Sequence, residues 1–200
     1  MGRHRARTAR AVTLQISGEQ FLDLFRQAKS DVFRLELRDR YNVPDERDRW
    51  EAFQARDWPR LDELNKAQRA TWMQLIGDVT SAGKRVERVR VVSEPPTQYI
   101  QFELRLNEGN AQAGEVIRYL PRDQIKGLAL PAEDYWLFDS ATAVVLRFGD
   151  DDDLLGMELV DAPAAIENFC AGRDATWRLA IPYQEYAPKW ADLGEPAPDA

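Results

Sequence analysis

Histidine and cysteine are almost absent from this chain of 200 residues. His4 is the sole histidine and Cys170 the sole cysteine. Ser-His-Asp and Cys-His catalysis and zinc-histidine sites all require an ordered imidazole. A lone cysteine can form neither an internal disulfide nor a thiolate zinc cluster. The sequence therefore argues against these classes of site beyond the N-terminal segment, and its cysteine content predicts an intracellular protein.

Long hydrophobic runs are also missing. No stretch approaches the roughly 20 apolar residues of a membrane-spanning helix. The apolar segment AVTLQI, residues 11–16, ends at polar Ser17 and is too short for the core of a signal peptide. The sequence thus predicts a cytoplasmic protein that does not enter a membrane.

Beyond the N-terminus, net positive charge is absent, because acidic residues outnumber basic ones there. The net charge is −7, although the first ten residues carry Arg3, Arg5, Arg7 and Arg10 and no acid. A protein that binds nucleic acid needs a cationic face to displace counterions from the phosphates. Direct nucleic-acid binding is therefore not expected except through these four arginines, and a basic protein partner suits the acidic body better.

Apolar residues are nevertheless plentiful enough for a folded core. The chain is 44% hydrophobic and 10% aromatic, which is typical of a globular protein. We expect a basic flexible tail over residues 1–16, one α/β domain over 17–187, and a Pro-rich acidic tail over 188–200.

The first half of the domain is predicted to be mainly helical. Ser17 and Gln20 form a capping-box pattern that predicts a helix over residues 18–29. Alternation over residues 32–38 predicts a half-buried strand. Two helical pieces, about 46–56 and 62–82, then lead to the stretch KRVERVRVVSEPP at 84–96, which predicts a central strand.

The second half predicts the rest of a mixed sheet. In chain order, the patterns indicate a helix from Tyr99 to Asn110, a strand over 116–120, a hairpin of 135–138 with 143–148, a strand over 154–160, a helix from Pro163, and an amphipathic segment over 174–186. Strands joined through helices usually lie parallel, whereas hairpins are antiparallel. The predicted fold is one α/β domain, with a mixed sheet flanked by helices and a helical N-terminal region.

The candidate functional residues are arginines and carboxylates near the predicted sheet. Arg88 and Arg90 alternate with valines, so they either pair with acids, which we favour, or face a ligand. Glu133, Asp134 and Asp139 flank a strand that also carries Trp136, the sixth candidate for ligand or partner contact. With Glu36 or Glu115 from neighbouring strands, the three acids could bind Mg²⁺, because hard cations take clustered oxygen ligands. The alternative is a polar rim held in ion pairs, and we assign no catalytic residue, metal ligand or cofactor.

Several blocks carry a resemblance to a known family. These are FRLELRDRYNV (33–43), RVRVVSEPPTQYIQFEL (88–104), GEVIRYL (114–120) and LPAEDYWLFDSATAV (130–144). In this order they resemble an actinobacterial family of unknown function, domain-of-unknown-function family 6879, over about residues 21–183. Members are commonly encoded beside helix-turn-helix regulators and small acidic proteins. The resemblance implies a regulatory role and supplies no catalytic residue.

A more distant resemblance concerns the order of the elements. Strand, helix, strand, hairpin and helix are similar to one half of the phospholipase D fold. That family's chemistry uses a His-x-Lys motif, whereas His4 is followed by Arg5 and Ala6. The resemblance therefore extends to the fold and not to that activity.

Three functions remain open at this point. The first is a non-catalytic regulatory protein that binds a partner such as a helix-turn-helix regulator, with its charged candidates dispersed in ion pairs. The second is a metal-dependent phosphodiesterase or nucleotide-binding enzyme, in which those candidates would converge in a cleft. The third is a small-ligand sensor, which would have an apolar pocket near the carboxyl ends of the parallel strands.

Overall fold

An eight-stranded sheet forms the centre of the molecule. The computed structural model describes residues 14–194, and the order across the sheet is β1-β7-β6-β5-β2-β3-β4-β8. The strands are β1 Leu14–Gln15, β2 Asp31–Glu36, β3 Arg85–Val92, β4 Val116–Pro121, β5 Asp134–Phe138, β6 Thr142–Phe148, β7 Leu154–Val160 and β8 Ile181–Pro182.

Seven α-helices flank this sheet in the part of the chain that the structure describes. They are α1 Gly18–Gln27, α2 Arg47–Gln54, α3 Trp58–Gln68, α4 Ala70–Ser81, α5 Gln98–Gln112, α6 Pro163–Leu179 and α7 Tyr183–Tyr186. Short 3₁₀ turns occupy Pro44–Glu46, Arg122–Ile125 and Ala187–Gly194. In residues 14–194, none of the helices combines the length and apolar character needed to cross a membrane.

The mixed α/β sheet predicted from the sequence is confirmed. β2, β3 and β4 are parallel neighbours joined through helices, whereas β5, β6 and β7 form an antiparallel meander beside β2. β3 is an interior strand, as predicted, while β2 and β5 lie closer to the middle of the sheet.

Both faces of the sheet are covered, which corrects the prediction of a half-buried strand at residues 32–38. Every residue of β2 is buried. Phe33 and Leu35 pack in the cluster that includes Phe169 of α6, while Val32 packs with Phe25 of α1 and the residues of α4. Because helices lie on both sides, the polar residues that alternate along this strand are also buried.

The helical region between β2 and β3 has one more break than the sequence predicted. The predicted helix over 62–82 is two helices that meet at Arg69, whose backbone is non-helical. The Arg69 side chain reaches the neighbouring helix, where Nη1 donates to the Leu106 carbonyl at 3.0 Å. This contact with α5 accompanies the break and is a tertiary feature that local periodicity does not reveal.

Near the two ends of the described chain, two observed segments differ from the segments predicted from the sequence. Leu14 and Gln15, assigned to the N-terminal tail by sequence, pair with β7, and the capping box at Ser17 and Gln20 is confirmed. The predicted segment 174–186 is the end of α6 followed by β8 and α7, and Pro182 suits the edge position of β8 because proline lacks a backbone donor. Arg3, Arg5, Arg7 and Arg10 lie outside the described residues.

Candidate charged cluster and carboxyl-end pocket

A cluster of charged side chains is buried between the sheet and the helices. Arg34 and Glu36 project from β2, opposite Arg88 and Arg90 in the parallel pairing with β3. All four residues are buried. These alternating strand positions, which would face solvent in a half-buried strand, are instead covered, and Arg90 reaches Glu103 of the helix α5.

Glu36 is the centre of the cluster. Its Oε1 lies 3.1 Å from Arg88 Nη1 and 3.4 Å from Arg34 Nε, and its Oε2 lies 3.0 Å from Arg90 Nε. The Arg90 contact lacks the alignment of a hydrogen bond and is an ion contact. Burial alone would raise the pKa of Glu36, but the three guanidiniums outweigh it and lower that pKa to about 2.

Two further glutamates complete the pairing of the β3 arginines. Arg88 Nε donates to Glu115 Oε1 at 2.6 Å, and Arg90 donates to Glu103 of α5. Asn110 holds the other Glu115 oxygen at 2.5 Å. The ion pairing predicted for Arg88 and Arg90 is therefore confirmed: each guanidinium lies against two glutamates of the protein.

Asp134 lies at the edge of the same cluster. It accepts hydrogen bonds from the Tyr41 hydroxyl at 2.5 Å and from the Leu37 amide at 2.9 Å, and it lies 3.6 Å from Arg34 Nη2. Burial raises the pKa of this carboxyl despite the nearby Arg34 guanidinium. Its contacts tie β5 to the loop that follows β2.

Trp136 separates the charged cluster from the aromatic core. The Arg34 and Arg88 guanidiniums lie over its ring, at 5.1 and 5.5 Å from the ring centroid, and Phe25 packs against its edge. The ring is buried. In this position Trp136 contributes cation–π and packing contacts within the protein.

The remaining predicted acids lie apart from the cluster. Glu133 is a surface residue 3.1 Å from Arg147. Asp139, in the hairpin turn at positive φ, accepts hydrogen bonds from the backbone amides of Lys29, Ser30 and Asp31. Among residues 14–194 there is no group of three or more His, Cys, Asp or Glu residues arranged to hold a metal ion. The structure thus does not bring Glu133, Asp134 and Asp139 together.

A pocket of about 820 Å³ opens at the carboxyl ends of β2 and β3. The loop after β2 and the beginning of α2 form one side, and the beginning of α5 forms another. Its aromatic lining consists of Tyr41, Trp50 and Tyr99, and polar side chains lie beside them. Tyr41 connects the pocket to the charged cluster through its hydrogen bond with Asp134.

Glu46 is the most perturbed acid that lines this pocket. It accepts a hydrogen bond from the Tyr99 hydroxyl at 2.9 Å and lies 3.8 Å from Arg49. Burial, together with repulsion from Glu103, raises its pKa from 4.5 to about 7 although Arg49 opposes the change. The pocket therefore contains a carboxyl group that takes up a proton near neutral pH.

Replacing this group should make stability less sensitive to pH. A raised folded-state pKa means that ionised Glu46 destabilises the fold, so its destabilising effect is complete above pH 7 and disappears as pH falls towards 4.5. We expect Glu46→Gln to be more stable than the parent by about 3 kcal/mol at pH 8, with the difference shrinking through that window. Urea unfolding of both proteins at several pH values measures this difference. A Glu46→Gln protein that is less stable than the parent at pH 8 would contradict a raised pKa for Glu46.

The sensor alternative placed an apolar pocket at the carboxyl ends of the parallel strands, whereas most side chains that line the observed pocket are polar. Sequence reasoning named none of its lining residues as candidates and missed several members of the charged cluster. Arg34, Tyr41, Glu46, Tyr99 and Glu103 were not candidates. One available signal was the dense polar and aromatic sequence after β2, because ligands in α/β proteins often bind at the carboxyl ends of parallel strands. Glu103 lies on the face of α5 that meets β3, and its role depends on how that helix packs.

The family comparison covers nearly the whole domain. The family model "Domain of unknown function (DUF6879)" matches residues 19–188. The chain belongs to the DUF6879 family. No curated protein matches this DUF6879 member significantly.

Solved structures show a distant likeness of fold. Nuc from Salmonella typhimurium, a phospholipase D family member, aligns with a TM-score of 0.49 and 12% identity, over 82% of this chain and 89% of Nuc. NucT from Helicobacter pylori aligns with a TM-score of 0.45 and 9% identity, over 82% of this chain and 89% of NucT. Phosphatidylserine synthase from Haemophilus influenzae aligns with a TM-score of 0.43 and 12% identity, over 90% of this chain and 44% of that protein. This DUF6879 chain is distantly similar to them in structure, and no activity is transferred from them.

Proposed function

We propose that this DUF6879 protein is a non-catalytic regulatory domain that acts by binding a basic protein partner. The observation that supports this proposal most strongly is that the charged candidates do not converge in an open cleft but are held by partners within the protein. Arg88 and Arg90 are paired with buried glutamates, whereas Glu133 and Asp139 make separate contacts at the surface and in a turn. A helix-turn-helix regulator is the partner that the family resemblance favours.

The turn before β7 supplies a surface suited to such a partner. Asp150 and Asp151 are exposed and form no ion pair with the described residues. The strand that follows begins with Leu154 and Leu155, which are 47% and 72% exposed. An acidic turn next to exposed apolar side chains complements a basic amphipathic segment, since charge steers association and apolar contact stabilises the complex.

Co-purification tests this proposal. The tagged chain should retain an untagged helix-turn-helix regulator that is encoded beside it and expressed with it. The Asp150→Asn/Asp151→Asn variant should retain about tenfold less, because it removes two charges from the contact surface. Asp62→Asn/Glu63→Gln on α3 makes the same charge change elsewhere and should retain the parent amount. Failure of the parent chain to retain the regulator would contradict the proposal.

Small-ligand sensing is a second candidate, favoured by the pocket at the carboxyl ends of β2 and β3. Its position and its aromatic lining are those expected of a ligand site in an α/β domain. Asp153, in the acidic turn, also lines this pocket. A ligand held there would contact the turn assigned to the protein partner, so both candidates can operate in one regulatory domain.

A further inference from the structure

Two arginines line the pocket without internal partners. Arg40 and Arg47 are exposed, and neither forms an ion pair or hydrogen bond with a side chain among residues 14–194. This contrasts with Arg88 and Arg90, which are buried and paired with glutamates. Arginine suits the recognition of carboxylate and phosphate groups because its planar donors match their oxygens.

The acids that line the same pocket are already engaged. Asp39 lies 3.0 Å from Arg122 and accepts from the Ser93 amide at 2.7 Å. Glu46 accepts from Tyr99, and Asp153 accepts from Asn42 Nδ2 at 2.6 Å. Asp153 keeps its negative charge because Asn42 is neutral, but among the charged side chains of the pocket lining it is Arg40 and Arg47 that have no partner in the described residues.

Aromatic side chains form the other recognition element. Trp50 and Tyr99 line the pocket with ring centroids 6.1 Å apart, and Trp50 is stacked on Phe53 behind it. Such support fixes the ring in place, and a planar ligand ring can stack on a fixed aromatic surface. A pocket of about 820 Å³ lies within the range of small-molecule sites.

We propose that this pocket binds a small aromatic anion, with Arg40 and Arg47 contacting the anionic group and Trp50 and Tyr99 contacting the ring. The ligand class includes aromatic phosphates such as nucleotides and aromatic carboxylates. This inference deepens the sensor candidate of the proposed function and does not depend on the protein partner.

Isothermal titration of the purified full chain with AMP and with salicylate tests the proposal and separates the two sources of ligand. At least one should bind with a Kd on the order of 100 µM, whereas adenosine and inorganic phosphate, which each lack one recognition element, should bind at least tenfold more weakly. Binding of AMP alone assigns the site to nucleotides, and binding of salicylate alone assigns it to carboxylates. No heat from either compound at about 5 mM would overturn the proposal, as would phosphate binding as tightly as AMP.

Matched charge variants locate the binding. Arg40→Gln/Arg47→Gln should weaken binding at least tenfold. Arg26→Gln/Arg60→Gln, which changes two exposed arginines that are not part of the pocket lining, should bind as the parent does. Equal affinity in both variants would overturn the proposed site. Co-purification of the regulator is measured without added ligand. A negative result in the ligand titration therefore does not change the interpretation of the co-purification experiment.

Discussion

Glu36→Gln should lower the free energy of unfolding by about 3–5 kcal/mol, which is the usual cost of removing one member of a buried ion network. The substitution keeps the shape of the side chain but removes its charge. Three guanidiniums, those of Arg34, Arg88 and Arg90, lie within 3.4 Å of Glu36 and would lose this shared counter-charge. Urea unfolding followed by circular dichroism measures the change.

Glu133→Gln is the matched control for this prediction. Glu133 also contacts an arginine, at 3.1 Å from Arg147, but both side chains are more than one-third exposed. Surface ion pairs contribute little, so the control should change stability by less than about 0.5 kcal/mol. A Glu36→Gln protein within about 1 kcal/mol of the parent would show that the cluster is solvated or can rearrange.

Phe25→Ala should destabilise the protein by about 3–5 kcal/mol through the cavity that it leaves. Phe25 of α1 is completely buried, and its ring packs edge-on against Trp72, Trp136 and Phe138 at centroid distances of 5.0 to 5.3 Å. These contacts attach the first helix to the sheet and to α4. Removing the ring should therefore loosen the support of Trp136, over which two cluster arginines lie.

The control for the cavity is Leu155→Ala. Leu155 is 72% exposed, so its truncation should alter stability by less than about 0.5 kcal/mol. The two variants are compared by thermal and urea unfolding. A Phe25→Ala midpoint indistinguishable from that of Leu155→Ala would contradict the assignment of Phe25 to a closely packed core.

The fold was largely predictable because its main signals are local. Helix α1 begins at a capping box, and the β5–β6 hairpin is formed by two apolar runs. β3 is rich in β-branched residues, and two prolines follow it shortly after its end. The misassigned features depend on tertiary packing. Alternation at Arg34 and Glu36 is normally a sign of a solvent-facing side, but here helices cover that side and oppositely charged side chains lie beside both residues.

The candidate site was less predictable because its members are distant in sequence. Tyr41, Trp50, Tyr99 and Asp153 come from four separate segments and meet only when the loops at the carboxyl ends of the strands are assembled. The predicted candidates came from two strands: Arg88 and Arg90 from the alternation along β3, and the three acids with Trp136 from their proximity in sequence to β5. Asp134 and Asp139 lie at opposite ends of that strand, and so they reach different surroundings.

Calorimetric titration of the purified chain with the neighbouring helix-turn-helix regulator tests the central claim most directly. We expect a stoichiometric complex whose affinity falls at least tenfold between about 50 mM and about 300 mM NaCl, because salt screens the contact between an acidic surface and a basic partner. The Asp150→Asn/Asp151→Asn variant should lose most of this salt dependence. Absence of binding at the lower salt concentration would contradict the regulatory proposal.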